Sequence, residues 1–291
     1  MTGNGIARRV AWRSGFALVA LMAWASAQAQ VTVSYVSNAG FLLEGGGKKV
    51  LIDALYDEGI VGYPRIPLET KKLLRSAEPP FDAVDLVLIT HEHADHFGPR
   101  TVTRHMRANP KATLICTPQV RDDLERHIKN YPGIAKRIVA VYPEEGETVK
   151  GTYGGIPVQV LNLHHGRNRP KPAENLGFIF ELGSMTVLHV GDTEARSGVF
   201  EQYGFKDRHI DVALLPAWMV SYDHWASAVR DYIHPRHIVA MHMPLPDAPG
   251  NFFGLHGNYD VRANTIKQMF PEAALLETPG AKRTFAPKDS N

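Results

Sequence analysis

Six consecutive residues, His91-Glu92-His93-Ala94-Asp95-His96, constrain this chain more than any other segment. They follow the apolar run Val84-Asp85-Leu86-Val87-Leu88-Ile89-Thr90. Such a run reads as a strand buried on both faces, so the polar cluster is delivered to one end of a sheet. Imidazole nitrogen suits zinc and its first-row neighbours, and carboxylate oxygen completes such a donor set. Spacing divides the cluster. His91 and His93 are two apart and share one side of an extended backbone, whereas Asp95 and His96 face a second position as the chain turns into a helix near Pro99. A structural zinc site needs only one compact set of ligands. The surplus points to catalysis, with two metals sharing a hydroxide.

The remaining sequence reads as strands alternating with helices. Residues 31–36, 40–44 and 49–53 are apolar and β-rich, with Gly45-Gly46-Gly47 as the turn of an antiparallel hairpin. A short helix is predicted at 68–74, and further helices at 99–108 and 120–129 on either side of a strand at 112–116. Strands are expected at 138–141, 157–163, 176–182, 185–190, 211–215 and 237–241, and helices at 224–233 and 259–269. No low-complexity linker interrupts the chain. The expectation is one domain, residues 30–291, of α/β class (α+β by some schemes) built on two sheets. Cys116 is the only cysteine, so no internal disulfide is possible, and its strand-like setting reads as a buried small hydrophobe.

The N-terminus carries Arg8, Arg9 and Arg13, an apolar run from Phe16 to Ala25, and then Ala27-Gln28-Ala29. Ten apolar residues are too few to cross about 30 Å of hydrocarbon as a helix. Residues 1–29 therefore read as a secretory signal, with a periplasmic destination or, more broadly, an extracellular one. The leader holds three of the 32 basic residues and none of the 30 acidic ones, which leaves a formal charge of −1 on the mature chain. That balance gives no broad nucleic-acid surface, and no stable membrane span is expected in the mature protein.

The order of these motifs resembles the metallo-β-lactamase superfamily over about 200 residues, from Gly40-Phe41 and Asp53 through the His loop to His165, Asp192 and His242. The resemblance implies a four-layer αββα sandwich with the site at one edge of the paired sheets. It also implies a first metal at His91, His93 and His165, a second at Asp95, His96 and His242, and Asp192 between them. His164 competes with His165 for the third position; Gly166 favours His165. Asp53 resembles the aspartate that orients a ligand imidazole, and a plain strand-end aspartate is the other reading. The cofactor expected is two divalent ions, zinc by default, with manganese or iron as alternatives.

Asp192 stands where antibiotic-destroying zinc β-lactamases typically carry Cys, which disfavours that activity. Asn175-Leu176-Gly177-Phe178 and Leu188-His189-Val190-Gly191-Asp192 look closer to the branch of ascorbate-phosphate lactonase-like enzymes and N-acyl-phosphatidylethanolamine phospholipase D. The expectation is thus an exported hydrolase that turns a metal-bridged hydroxide on a small-molecule ester, lactone or phosphodiester. Asp95, His96 and Asp192 are its catalytic candidates. A non-catalytic periplasmic metal-binding protein is the alternative, and a nuclease or β-lactamase is further off. Arg167, Arg169 and Lys171 read as an anion-binding loop or a solvated one. Trp218, Tyr222, His224 and Trp225 read as a pocket rim or as packing, as do Phe252, Phe253 and His256. His189, inside a strand, reads as a core histidine or as one that supports a ligand.

Overall fold

The computed structural model describes residues 29–129, 131–166, 172–248 and 258–287. Residues 1–28 of the N-terminal leader, Arg167, Arg169, Lys171, Phe252, Phe253 and His256 lie outside the described residues.

In chain order the strands of the first half are β1 (Val31–Ser37), β2 (Gly40–Gly45), β3 (Lys48–Ile52), β4 (Leu86–Leu88), β5 (Thr113–Cys116) and β6 (Ile138–Ala140). Helices α1 (Leu68–Ser76), α2 (Pro99–Ala108), α3 (Pro118–His127) and α4 (Pro132–Ala135) connect them. The second half contributes β7 (Thr148–Tyr153), β8 (Ile156–Asn162), β9 (Leu176–Leu182), β10 (Met185–His189), β11 (Val212–Pro216), β12 (His237–Met241) and β13 (Ala274–Leu275). Its helices are α5 (Ser197–Gln202), α6 (Asp223–Ala228), which continues into a wide turn at Val229–Ile233, and α7 (Tyr259–Met269). The last strand, β14 (Lys282–Phe285), returns to the first sheet beside β1.

The sheets have strand orders β14-β1-β2-β3-β4-β5-β6 and β13-β12-β11-β10-β9-β8-β7. Each is antiparallel at one end, where hairpins connect neighbours, and parallel from β3 to β6 and from β10 to β13. The two halves therefore repeat one plan, a meander followed by parallel strands with crossover helices, although no repeat shows residue by residue. This is the expected αββα sandwich.

Period-two alternation explains the layers. In β2 and β3, Phe41, Leu43, Val50 and Ile52 join the core between the sheets, while Leu42 and Leu51 join a second core under the helices. In the segment of β4, Leu86 and Leu88 face inward, and Val87 and Ile89 face Val102 and Met106 of α2. Strands buried on both faces have no polar side, which is why these runs read as continuously apolar. Cys116 is fully buried in the helix-side core, as expected.

Helix starts are fixed by local chemistry. Thr117 Oγ1 accepts from the Val120 amide at 3.2 Å, and Pro118 occupies the first turn of α3. Gly98 precedes α2 without a capping side chain, so Asp57 supplies the cap from a distance. It accepts from the Arg100 and Thr101 amides at 3.3 and 3.2 Å.

Three differences from the sequence reading have physical causes. The expected strand at 84–90 is ordered as β4 only over Leu86–Leu88, because the Thr90 amide turns away to Asp53 Oδ1 at 2.8 Å. The edge strands β7 and β14 were not expected, being half-exposed and rich in Lys, Arg and Thr. Helix α6 gives way to the wide turn before Ile233.

The layer argument predicts a contrast between two leucines. Leu51 is fully buried and Leu68 is 68% exposed. Leu51→Ala is expected to cost about 2–5 kcal/mol in denaturant unfolding, and Leu68→Ala less than about 0.5 kcal/mol. Equal costs would contradict the assignment of these faces.

Candidate metal centre

Five strands end at the same edge of the sandwich and carry the polar residues there. Asp53 follows β3, the His loop follows β4, His165 follows β8, Asp192 follows β10 and His242 follows β12. Open α/β sheets place ligand sites beyond the carboxyl ends of their parallel strands, and four of these five strands belong to the parallel parts. Three of the six non-glycine residues with positive φ among the described residues sit at this edge: Asn38, Asp53 and His242, with φ of 51°, 46° and 56°.

The sequence-predicted residues come together. Potential ligand atoms lie within 4.8 Å of one another in each of three groups: His91, His93 and His165; His91, His96 and Asp192; and Asp95, His96 and His242. Asp192 spans the gap between them. Its Oδ1 is 3.3 Å from His96 Nε2, and its Oδ2 is 3.1 Å from His242 Nε2 and 3.9 Å from His91 Nε2. Asp95 Oδ2 is 3.2 Å from His242 Nε2 and 3.8 Å from His96 Nε2. Of the two adjacent histidines, His165 joins the cluster, while His164 Nδ1 lies 3.7 Å from Glu145.

Donor and acceptor counting fixes two of the rings. Asp53, as a carboxylate, can only accept, and Thr90 Oγ1 donates to its Oδ2 at 2.6 Å. Thr90 then has no hydrogen left for His91 Nδ1 at 2.9 Å, so the ring nitrogen donates and Nε2 presents a lone pair to the cluster. Likewise His96 Nδ1 donates to Asp53 Oδ2 at 2.8 Å, which points Nε2 inward. One aspartate thus orients two imidazoles, as the resemblance implied for Asp53. Glu194, which lines the same cavity, lies 3.4 Å from His165 Nδ1.

Sequence reasoning missed three supporting residues. Asn38 Nδ2 donates to Asp95 Oδ2 at 3.0 Å. Asn175 accepts from the Asp192 amide at 3.0 Å through Oδ1 and donates to the carbonyls of Leu163 and Val190. Thr90 acts as described above. Only Asn175 had a signal, its place in the motif at 175–178. Gly191 is required beside it: φ is 59°, and a Cβ there would lie 2.2 Å from Asn175 Oδ1. His189 is a core histidine, accepting from the Gly191 amide at Nδ1 and facing the Ala39 carbonyl with Nε2 at 3.3 Å.

The electrostatics call for positive charge. Burial works against a charged His96, yet the carboxylates of Asp192, Asp53 and Asp95 raise its pKa to about 10. Burial also opposes charge on His242, and Asp192 and Asp95 raise it to about 10 as well. Burial pushes His93 down to about 4, helped by His165, and pushes His91 well below its ordinary value, helped by His96. Burial penalises Asp192 too, but His242 and His96 hold it well below the usual carboxylate range. The donor chemistry fits divalent metal. His91 Nε2 and His93 Nδ1 face each other at 3.0 Å, where a cation or proton must lie between lone pairs. His96 Nε2, Asp192 Oδ1 and both ring nitrogens of His242 are buried without a hydrogen-bond partner among the described residues.

Two predictions follow from this geometry. Because the two raised imidazoles keep their protons up to about pH 10, metal uptake at pH 8 must displace them. Calorimetry in buffers of different ionisation enthalpy is expected to show about two protons released per loaded chain, with affinity rising with pH. Release of none would contradict it. Asp53→Asn keeps the shape but replaces an acceptor with a donor, and is expected to weaken metal binding about 10–100-fold in chelator competition.

Comparison with known proteins agrees with this picture. The family description "Beta-lactamase superfamily domain" matches residues 48–248. A UPF0173 metal-dependent hydrolase of Pyrococcus furiosus is 29% identical over 255 residues, covering 78% of this chain and 92% of the relative. A second, from Thermus thermophilus, is 24% identical over 230 residues, covering 73% and 83%. Among solved structures, the metallo hydrolase Igni18 of Ignicoccus hospitalis superposes with a TM-score of 0.60 at 20% identity, covering 89% of this chain and all of that one. The metallo-β-lactamase fold protein YhfI of Bacillus subtilis gives 0.55 at 14% identity, covering 87% and 99%. With paired His/Asp donor sets of catalytic type on that fold, the chain belongs to the metallo-β-lactamase superfamily and is a metal-dependent hydrolase.

Proposed function

We propose that this chain is an exported hydrolase of a small-molecule ester, lactone or phosphodiester. The observation that carries the reading is Asp192 at the floor of a cavity, with Oδ1 3.3 Å from His96 and Oδ2 3.1 Å from His242 in one donor set and 3.9 Å from His91 in the other. In the proposed assignment His91, His93 and His165 hold one cation. Asp95, His96 and His242 hold the other, and Asp192 reaches both. Two divalent ions there, zinc first and manganese or iron as alternatives, would acidify a water and polarise the attacked bond.

The chain's own residues shape what enters. The cavity is about 230 Å³ and is walled by Ile60, Tyr63, Trp218 and Trp225 above the His/Asp floor. That is small beside the roughly 300–1,000 Å³ of drug-sized sites, which favours a compact substrate over a polymer. Tyr63 packs edge-on against His242 with centroids 4.2 Å apart, and burial pushes its phenol up, so it stays a donor at neutral pH. Trp218 also packs on His242, with its indole N–H committed to the Thr193 carbonyl at 3.0 Å. Trp218 and Trp225 thus form a rim; Tyr222 and His224 stack beside Trp225 outside the lining.

Export to the periplasm rests on the basic, apolar and small-residue succession at 1–29, with residues 30–291 as a single hydrolase domain. Among the described residues no helix is long and apolar enough to cross a membrane.

The test is turnover by metal-loaded protein across acyl esters, lactones, β-lactams and phosphodiesters. One class is expected to be cleaved, with Asp192→Ala and His96→Ala each slowing it at least about a hundredfold, the upper end for partners that only orient ligands. Both variants should keep their circular dichroism. Wild-type protein that holds two metals and cleaves none of these classes would overturn the proposal.

A further inference from the structure

The outer helical layer carries a second cavity, of about 340 Å³, that shares no lining residue with the metal centre. It lies between α1, α2 and the end of α3, and its charged lining is entirely basic. Arg100, Arg104 and Arg107 occupy positions i, i+4 and i+7 of α2, one stripe of a single helix face. Lys129 approaches from the segment after α3.

A row of like charges at this spacing opposes the helix that carries it. Arg100 also sits in the first turn, where the helix dipole disfavours a cation. Two lining residues already have carboxylate partners: Arg75 pairs with Asp57, which also caps α2, at 3.0 Å, and His127 lies 3.1 Å from Asp123. Among the described residues, the side chains of Arg100, Arg104, Arg107 and Lys129 have no hydrogen bond or ion pair.

We propose that this groove is a binding site for a phosphate-bearing anion, held by the guanidinium groups of Arg104 and Arg107. Arginine forks match phosphate oxygens in pairs, and a cavity of this size admits a small phosphorylated ligand or a lipid headgroup. The inference does not depend on the reaction assigned to the metal centre.

The experiment compares wild-type, metal-loaded full chain with Arg104→Gln/Arg107→Gln, whose altered side chains are exposed. One arm titrates glycerol 3-phosphate by calorimetry. The other measures cosedimentation with phosphatidylglycerol vesicles against phosphatidylcholine vesicles. Any phosphate contact at the metal centre is common to both proteins and cancels. In at least one arm the double variant is expected to bind at least tenfold more weakly, and added salt to weaken the wild type more than the variant. The responding arm identifies a soluble phosphate or a headgroup as the source. Failure of the wild type to bind in either arm, or equal binding by wild type and double variant in both, would overturn the proposal.

Discussion

Three carboxylates, Asp53, Asp95 and Asp192, lie at the meeting of the two sheets with exposures of only 1, 2 and 5%. Burying an ionised carboxylate costs several kcal/mol unless charge and hydrogen bonds compensate it. The local design follows from that cost. His96 and His242 supply positive charge when no metal does, and the same ring nitrogens are the ones the proposed cations would use. The centre is therefore built to hold cations before any substrate arrives.

The sandwich supplies what the centre needs by geometry. Parallel strands ending at one edge bring together residues as far apart in sequence as Asp53 and His242. Left-handed backbone at Asn38, Asp53 and His242 turns side chains back towards the cluster, where an ordinary strand exit would carry them away. The cross-links are few. The Thr90 carbonyl accepts from the Leu176 amide at 2.9 Å, tying the first sheet to the second directly behind the His loop. Asn175 then ties the ends of β8 and β10 together through its bonds to the Leu163 and Val190 carbonyls. Gly191 permits this tie because no side chain fits between Asn175 and Thr90.

Legibility in the sequence followed the range of the interactions. The His loop was readable because its donors are contiguous and follow an apolar strand. The hairpin β2–β3 carries its own turn signal, and the helix at Pro99 its own starting proline. The choice between His164 and His165 needed the third dimension, since neighbouring residues point to opposite sides and only the packing against His91 and His93 decides. Asn38, Thr90 and Asn175 are common turn and strand residues whose roles exist only through distant partners. Strand β14 was hidden for a similar reason: it is a short, mostly exposed edge, paired with β1 from the opposite end of the chain.

Anomalous diffraction from a crystal of the metal-loaded protein, collected at the absorption edge of the bound element, tests the central claim most directly. The account predicts two peaks roughly 3.5–4 Å apart. One should touch His91, His93 and His165, the other Asp95, His96 and His242, with Asp192 in contact with both. A single peak, or peaks that leave Asp192 without a metal neighbour, would contradict it.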